Sequence, residues 1–304
     1  MKNSVLLFAL VAMLCFSCSD SKETKSGQKY TVVRKGDGVL AKTGEIRVLS
    51  FLLKDGKDSV INDSKKNPMP VMLQHQDSVP KGDVVTEVIQ LLSKGDSVTF
   101  SVSAKSLFQG GPYPPDIDSA SSFKFFLGVI DIVTEDQARA LQSTAIAKQN
   151  EQAMLEESQQ LAKDTTAIAA YLKAKSIVAQ KTPSGLRYVI TKAGKGENAK
   201  TGQTVKVNYS GFLLDGTCFD SSIESVARAN NVFNEQRMPY EPMEATIGQQ
   251  GIAAGWQEAI TLMNKGSKLT AYIPSPLGFG PQRRSEIIGE NAILIFDLEL
   301  VEIK

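Results

Sequence analysis

The chain has 304 residues, a length that suits about two domains, and carries 34 Lys plus Arg against 33 Asp plus Glu for a net charge of +1. That balance argues against a nucleic-acid binder, whose basic surplus gathers on one face, and 42% hydrophobic with 22% charged residues is too apolar for a disordered chain. Three cysteines and one histidine leave almost nothing for a metal site, a thiol-redox pair, a disulfide framework, or Ser-His-Asp and Cys-His catalysis.

Met1-Lys2-Asn3 is followed by an almost unbroken apolar run from Val5 to Phe16. Such a run is too short to span a bilayer and suits a secretory h-region. It ends Leu14-Cys15-Phe16-Ser17-Cys18 and turns polar at Ser19-Asp20. A small residue before a cysteine at this place resembles a bacterial lipobox. The resemblance implies a signal peptide over 1–17 and lipidated Cys18 as the first mature residue; an ordinary signal peptide with incidental cysteines is the alternative. On the lipobox reading residues 18–27 are a polar tether. The protein is then lipid-anchored in the bacterial cell envelope, and Ser19 rather than Asp after Cys18 points to the outer membrane, facing the periplasm.

From residue 28 the chain repeats itself. Tyr30-Thr31-Val32-Val33-Arg34 resembles Tyr188-Val189-Ile190-Thr191-Lys192 at an offset of 158, and Ala41-Lys42-Thr43-Gly44 recurs as Ala199-Lys200-Thr201-Gly202. The apolar run before Asp55-Gly56 matches the one before Asp215-Gly216 near 160. Lys94-Gly95 matches Lys265-Gly266, and Phe125–Ile132 matches Phe296–Ile303, both at 171. One module, duplicated and given loop insertions, produces such a stepwise offset. The copies span 28–133 and 181–304.

Each copy reads as short strands, with Val205–Tyr209 and Ala292–Leu300 carrying β-branched and large apolar residues in partial alternation. Gly251–Leu262 is the one short helix of the second copy, stopped by Lys265-Gly266. A sheet packed on a short helix is an α+β design. Residues 134–180 form a helical linker. Glu135–Lys163 lacks Gly and Pro, and Asp164 reads as the N-cap of a second amphipathic segment through Ala174. It serves as a spacer or, with a stronger seam than it shows, as a dimerisation helix.

Neither paired carboxylates nor a phosphate loop nor a nucleophile–base set stands out. His75, between Gln74 and Gln76-Asp77, reads as a solvated surface residue. The second copy instead carries, in order, Val205-Lys206-Val207-Asn208-Tyr209-Ser210-Gly211, Asp215-Gly216-Thr217-Cys218-Phe219-Asp220, Gly255-Trp256-Gln257-Glu258-Ala259, Ile273-Pro274-Ser275, Gly278-Phe279-Gly280 and Leu294-Ile295-Phe296-Asp297-Leu298. From Gly185 to Ile303 the sequence resembles the FKBP (FK506-binding) family of peptidyl-prolyl cis/trans isomerases.

The resemblance implies two FKBP-like modules, each an antiparallel sheet wrapped on a short helix, joined by the helical linker. It implies a pocket walled by Tyr209, Phe219, Asp220 and Phe296 and floored by Trp256. The backbone N–H of Ile252 would meet the substrate carbonyl, and Met243 and Ile288 would stand at the rim. Phe279 occupies a place usually held by tyrosine, keeping the ring and losing the hydroxyl. The implied partners are X-Pro segments of unfolded or exported proteins and a macrolide inhibitor, with no cofactor, metal or nucleic acid. A non-enzymatic chaperone or protein-binding lipoprotein, its aromatics serving only as core, is the competing reading. The first copy looks degenerate. Aligned on Asp55-Gly56 and Lys94-Gly95, its tyrosine position is Leu49, its Phe-Asp pair Ser59-Val60 and its tryptophan Val85, with Phe125 alone kept. That pattern predicts a fold without isomerase activity.

Overall fold

Runs of alternating apolar residues build two antiparallel sheets of seven strands each. A computed structural model describes residues 20–108, 111–114, 117–118 and 120–304; the leader and Cys18 lie outside them. The chain divides into two units, the second being Glu151–Lys304.

The first unit runs β1 (Asp20–Glu23), β2 (Lys29–Arg34), β3 (Ile46–Lys54), β4 (Val60–Asp63), β5 (Val71–Gln74), α1 (Val84–Gln90), β6 (Ser97–Ser103), α2 (Ala104–Leu107) and β7 (Ser122–Val133). Its strand order is β1-β2-β6-β7-β3-β4, with β5 also on β3. β1 lies within the segment read as a tether and pairs with β2 from Asp20↔Val32 to Glu23↔Lys29. Asp83 caps α1, its carboxylate accepting from Thr86 N at 3.0 Å. Val88 and Ile89 of α1 then bury against Leu49, Val98, Phe100, Phe125 and Leu127 of the sheet.

The helix α3 (Glu135–Ala174) is one unbroken run of 40 residues. Asp164 is therefore not the start of a second helix but sits inside the first. The weak apolar stripe has a reason. Ala138 buries against Val48 and Val133 in the first unit, and Ile168 and Leu172 bury against Tyr272 and Ile295 in the second. Between these ends Met154 and Leu155 are exposed.

The second unit continues with β8 (Gln180–Lys181), β9 (Arg187–Lys192), β10 (Lys195–Asn198), β11 (Thr204–Leu213), β12 (Cys218–Ser221), α4 (Glu224–Ala229), β13 (Met243–Thr246), α5 (Ala254–Thr261), β14 (Asn264–Lys265), β15 (Lys268–Ile273) and β16 (Leu294–Ile303). Its order is β12-β11-β16-β15-β9-β8 with β13 on β11, while β10 and β14 pair separately. Strand for strand this is the first sheet again, with α5 in the place of α1.

The register refines the match. The β3–β7 ladder shifts between Val48 and Leu49, and the β11–β16 ladder shifts between Lys206 and Val207, the same place in each module. Tyr209 faces Leu298 as Phe51 faces Leu127. Asp220 faces Gly211 as Asn62 faces Leu53. The tyrosine position is thus Phe51 rather than Leu49, and the Phe-Asp pair becomes Ile61-Asn62 rather than Ser59-Val60. The two Asp-Gly pairs are not equivalent. Asp55 N bonds to Ser59 O as Leu213 N bonds to Thr217 O, and the left-handed place of Gly216 is taken by Asp58, at φ 63°.

Candidate functional site

Tyr209 and Phe296 reach the core from adjacent central strands, and Trp256 reaches it from α5. Around them lies a cavity of about 310 Å³ lined by Tyr209, Phe219, Asp220, Met243, Gly251, Ile252, Ala253, Trp256, Phe279, Arg284 and Phe296. Eight of these are expected site residues. Ile288 is not among them: it is buried in the core beneath, its N–H bonded to Ser285 Oγ at 3.0 Å.

Small residues make the room. A Cβ on Gly211 would run into the rings of Phe219 and Phe296. Without it, Phe219 stands edge-on to Phe296 at 5.5 Å between centroids, and Tyr209 meets the same ring at 6.2 Å. Ala271 is paired with Phe296 across the sheet and adds only a methyl group. Gly255 lets α5 close on Ile273 and Leu277, which a Cβ there would strike.

One edge of this apolar cavity is polar. Tyr209 Oη donates to Asp220 Oδ2 at 2.5 Å, and Ser221 N donates to Asp220 Oδ1 at 2.8 Å. Arg237 donates from Nη2 to Tyr209 Oη at 3.2 Å and from Nη1 to Asp220 Oδ1. Burial, and then the neighbouring Asp220 carboxylate, push the Tyr209 phenol up to about 12. The phenol therefore stays a neutral donor at any ordinary pH. Burial likewise pushes the Cys218 thiol up, which suits a packed strand residue and not a nucleophile.

Arg237 and Arg284 were not visible in the sequence. Arg237 lies in residues 222–242, the connection from β12 to β13 that in the first unit takes only 64–70. Phe233 and Tyr240 stack within that insertion at 5.5 Å, and Arg228 lies over Phe233 at 3.5 Å from its centroid. Arg284 lies 5.4 Å from the centroid of Phe279, a cation over a ring that has no hydroxyl of its own. Arg284 comes from a different segment, the connection between β15 and β16, and no sequence motif marks either arginine. The chemistry on offer is recognition: a mainly aromatic slot of side-chain size beside a hydrogen-bond network.

The first module puts a ring where the second has a methyl group. Phe100 pairs with Phe125 as Ala271 pairs with Phe296, and its ring stacks on Phe125 at 5.0 Å and 5°.

Comparison with known proteins bears on the second module most directly. Residues 195–301 match the family model described as FKBP-type peptidyl-prolyl cis-trans isomerase. The chain is 34% identical over 174 residues to the probable FKBP-type peptidyl-prolyl cis-trans isomerase FkpA of Neisseria meningitidis, covering 56% of this chain and 58% of that protein. It is 29% identical over 227 residues to the outer membrane protein MIP of Legionella longbeachae, covering 72% and 90%. With FkpA of Buchnera aphidicola it shares 40% over 125 residues, covering 41% and 43%. Apart from MIP, the match spans about half the length of these relatives. The crystal structure of FkpA from Escherichia coli aligns with a TM-score of 0.37 at 29% identity, over 56% of this chain and 71% of that one.

Proposed function

We propose, from the premise that the second module is an FKBP-type peptidyl-prolyl isomerase domain, that it isomerises X-Pro bonds in exported proteins of the bacterial envelope. The observation that carries this reading is the aromatic cavity edged by Tyr209, Asp220 and Arg237. Rotation about an X-Pro bond crosses a barrier set by amide resonance, about 18–20 kcal/mol. The planar amide is more charge-separated than the twisted one, so a dry aromatic slot solvates the ground state poorly and tolerates the twisted state better. Such selectivity needs neither nucleophile nor metal. Tyr209, Phe219, Trp256 and Phe296 hold the proline ring, Ile252 presents its backbone N–H to the substrate carbonyl, and the Asp220 network fixes the wall.

The test is a protease-free isomerase assay of the full chain beside Asp220→Ala. Losing the carboxylate removes charge-assisted hydrogen bonds worth about 1.5–3 kcal/mol, so kcat/KM is expected to fall roughly 10- to 100-fold. A folded wild-type chain with no rate above background overturns the reading. Aggregation suppression that survives Trp256→Ala would point instead to a non-enzymatic chaperone. The first module, its cavity filled by Phe100, serves as a binding or spacing element.

Placement in the envelope rests on the lipobox-like Cys18 and on the similarity to an outer membrane protein. Among the described residues no helix is long and apolar enough to cross a membrane. Lipidation at Cys18 would supply the anchor. Cys18→Ala is expected to move the protein out of the detergent phase; unchanged partitioning means no lipid is there.

A further inference from the structure

We propose that Asp164, on the long helix α3, is a positioning residue for the cavity, holding the Phe279 loop in place from outside the sheet. This inference rests on the isomerase reading of the same cavity. Asp164 is only 4% exposed, and a carboxylate taken out of water must be repaid by donors. Its Oδ2 accepts from Ser275 N at 2.7 Å and from Ser275 Oγ at 2.5 Å. Its Oδ1 accepts from Gln160 Nε2, one helical turn back, at 2.7 Å. Ser275 is itself fully buried.

The carbonyl of Ser275 then accepts from Gly278 N at 2.9 Å and from Gly280 N at 2.8 Å. These two glycines flank Phe279, a wall of the cavity. Gly280 O in turn accepts from Asn291 N at 2.9 Å. One buried carboxylate thus fixes one serine, and that serine's carbonyl brackets the ring-bearing residue on both sides. A fold that needed only a helix packed on a loop could use apolar contact here. A buried charge with charge-assisted bonds to a single residue instead fixes direction, which is what a wall of a small slot requires.

The experiment compares the full chain with Asp164→Ala, Asp164→Asn and Ser275→Ala. Three readouts are taken: hydrogen exchange at Gly278 and Gly280, binding of an Ala-Leu-Pro-Phe peptide followed by the fluorescence of Trp256 (the single tryptophan), and kcat and KM separately. Asp164→Ala is expected to speed exchange at both glycines and to weaken peptide binding about tenfold, raising KM more than it lowers kcat. Asp164→Asn, whose amide oxygen can still accept from Ser275, should restore most of both. Ser275→Ala keeps the N–H bond and should fall between, and it carries the test if Asp164→Ala does not fold. Unchanged exchange overturns the proposal, as does faster exchange with unchanged peptide affinity, or an Asn variant no better than Ala. A wild-type chain that binds the peptide without turnover would defeat the isomerase reading alone, leaving exchange and affinity to decide the role of Asp164.

Discussion

In the first module Phe100 lies flat on Phe125; in the second, Ala271 stands beside Phe296 and the space is open. Strand order, register shift and the short helix under the sheet are common to both. Two further exchanges point the same way. Leu53 stands where Gly211 admits the Phe219 ring, and Val85 stands where Trp256 floors the cavity. The frame and the cavity are therefore separable properties of one fold. The frame depends on the alternation of apolar residues along the strands, whereas the cavity depends on a few places where bulk is withheld.

The sharpest way to break the comparison is to withhold bulk in the first module. Phe100→Ala removes a buried ring and should cost about 3–5 kcal/mol, read as a lower denaturation midpoint for the first unit. Isomerase turnover by the full chain should not change. A rise in turnover would mean that the first module was one side chain from activity. The converse, Ala271→Phe, adds a ring beside Phe296. It should cost about 1–3 kcal/mol of stability through overpacking and abolish peptide binding by filling the slot. Binding that persists would show that the ligand does not enter between these aromatics. The smallest change, Phe279→Tyr, supplies the absent hydroxyl. One added hydrogen bond is worth about 1 kcal/mol, so affinity for the family's macrolide should rise severalfold with little change in peptide turnover. Weaker macrolide binding in a titration would contradict this.

The duplication, the strands, the short helix and the aromatic set were legible in the sequence because each leaves a periodic or ordered trace. The register of the first copy was not, for a physical reason. Strand side chains repeat every two residues, so an alignment slipped by two keeps every apolar residue on its proper face. The ladder, with Phe51 opposite Leu127, keeps the offset of 158 seen at Tyr30 and Ala41 and rejects the 160 of the Asp-Gly match. Asp164 was misread for a related reason. An aspartate in a polar helical stretch resembles a cap, and its true partner Ser275 is 111 residues away. Arg237 was invisible because a basic residue in a polar insertion carries no pattern that says which of its side chains turns to the cavity edge. Ile288 went to the core because apolar character alone does not say whether a loop residue faces the slot or the packing beneath it.

Cys218 offers a consequence of a different kind. It sits on β12 directly before Phe219, buried, with its thiol held protonated. A thiol in that state reacts with an alkylating reagent only when the strand lifts from the sheet. The rate of alkylation at this one residue, followed by mass, is thus a clock already built into the strand beside the cavity. It times the opening of the strand that carries Phe219 and Asp220 without any cysteine being introduced, and a ligand seated in the slot should make the clock run slow.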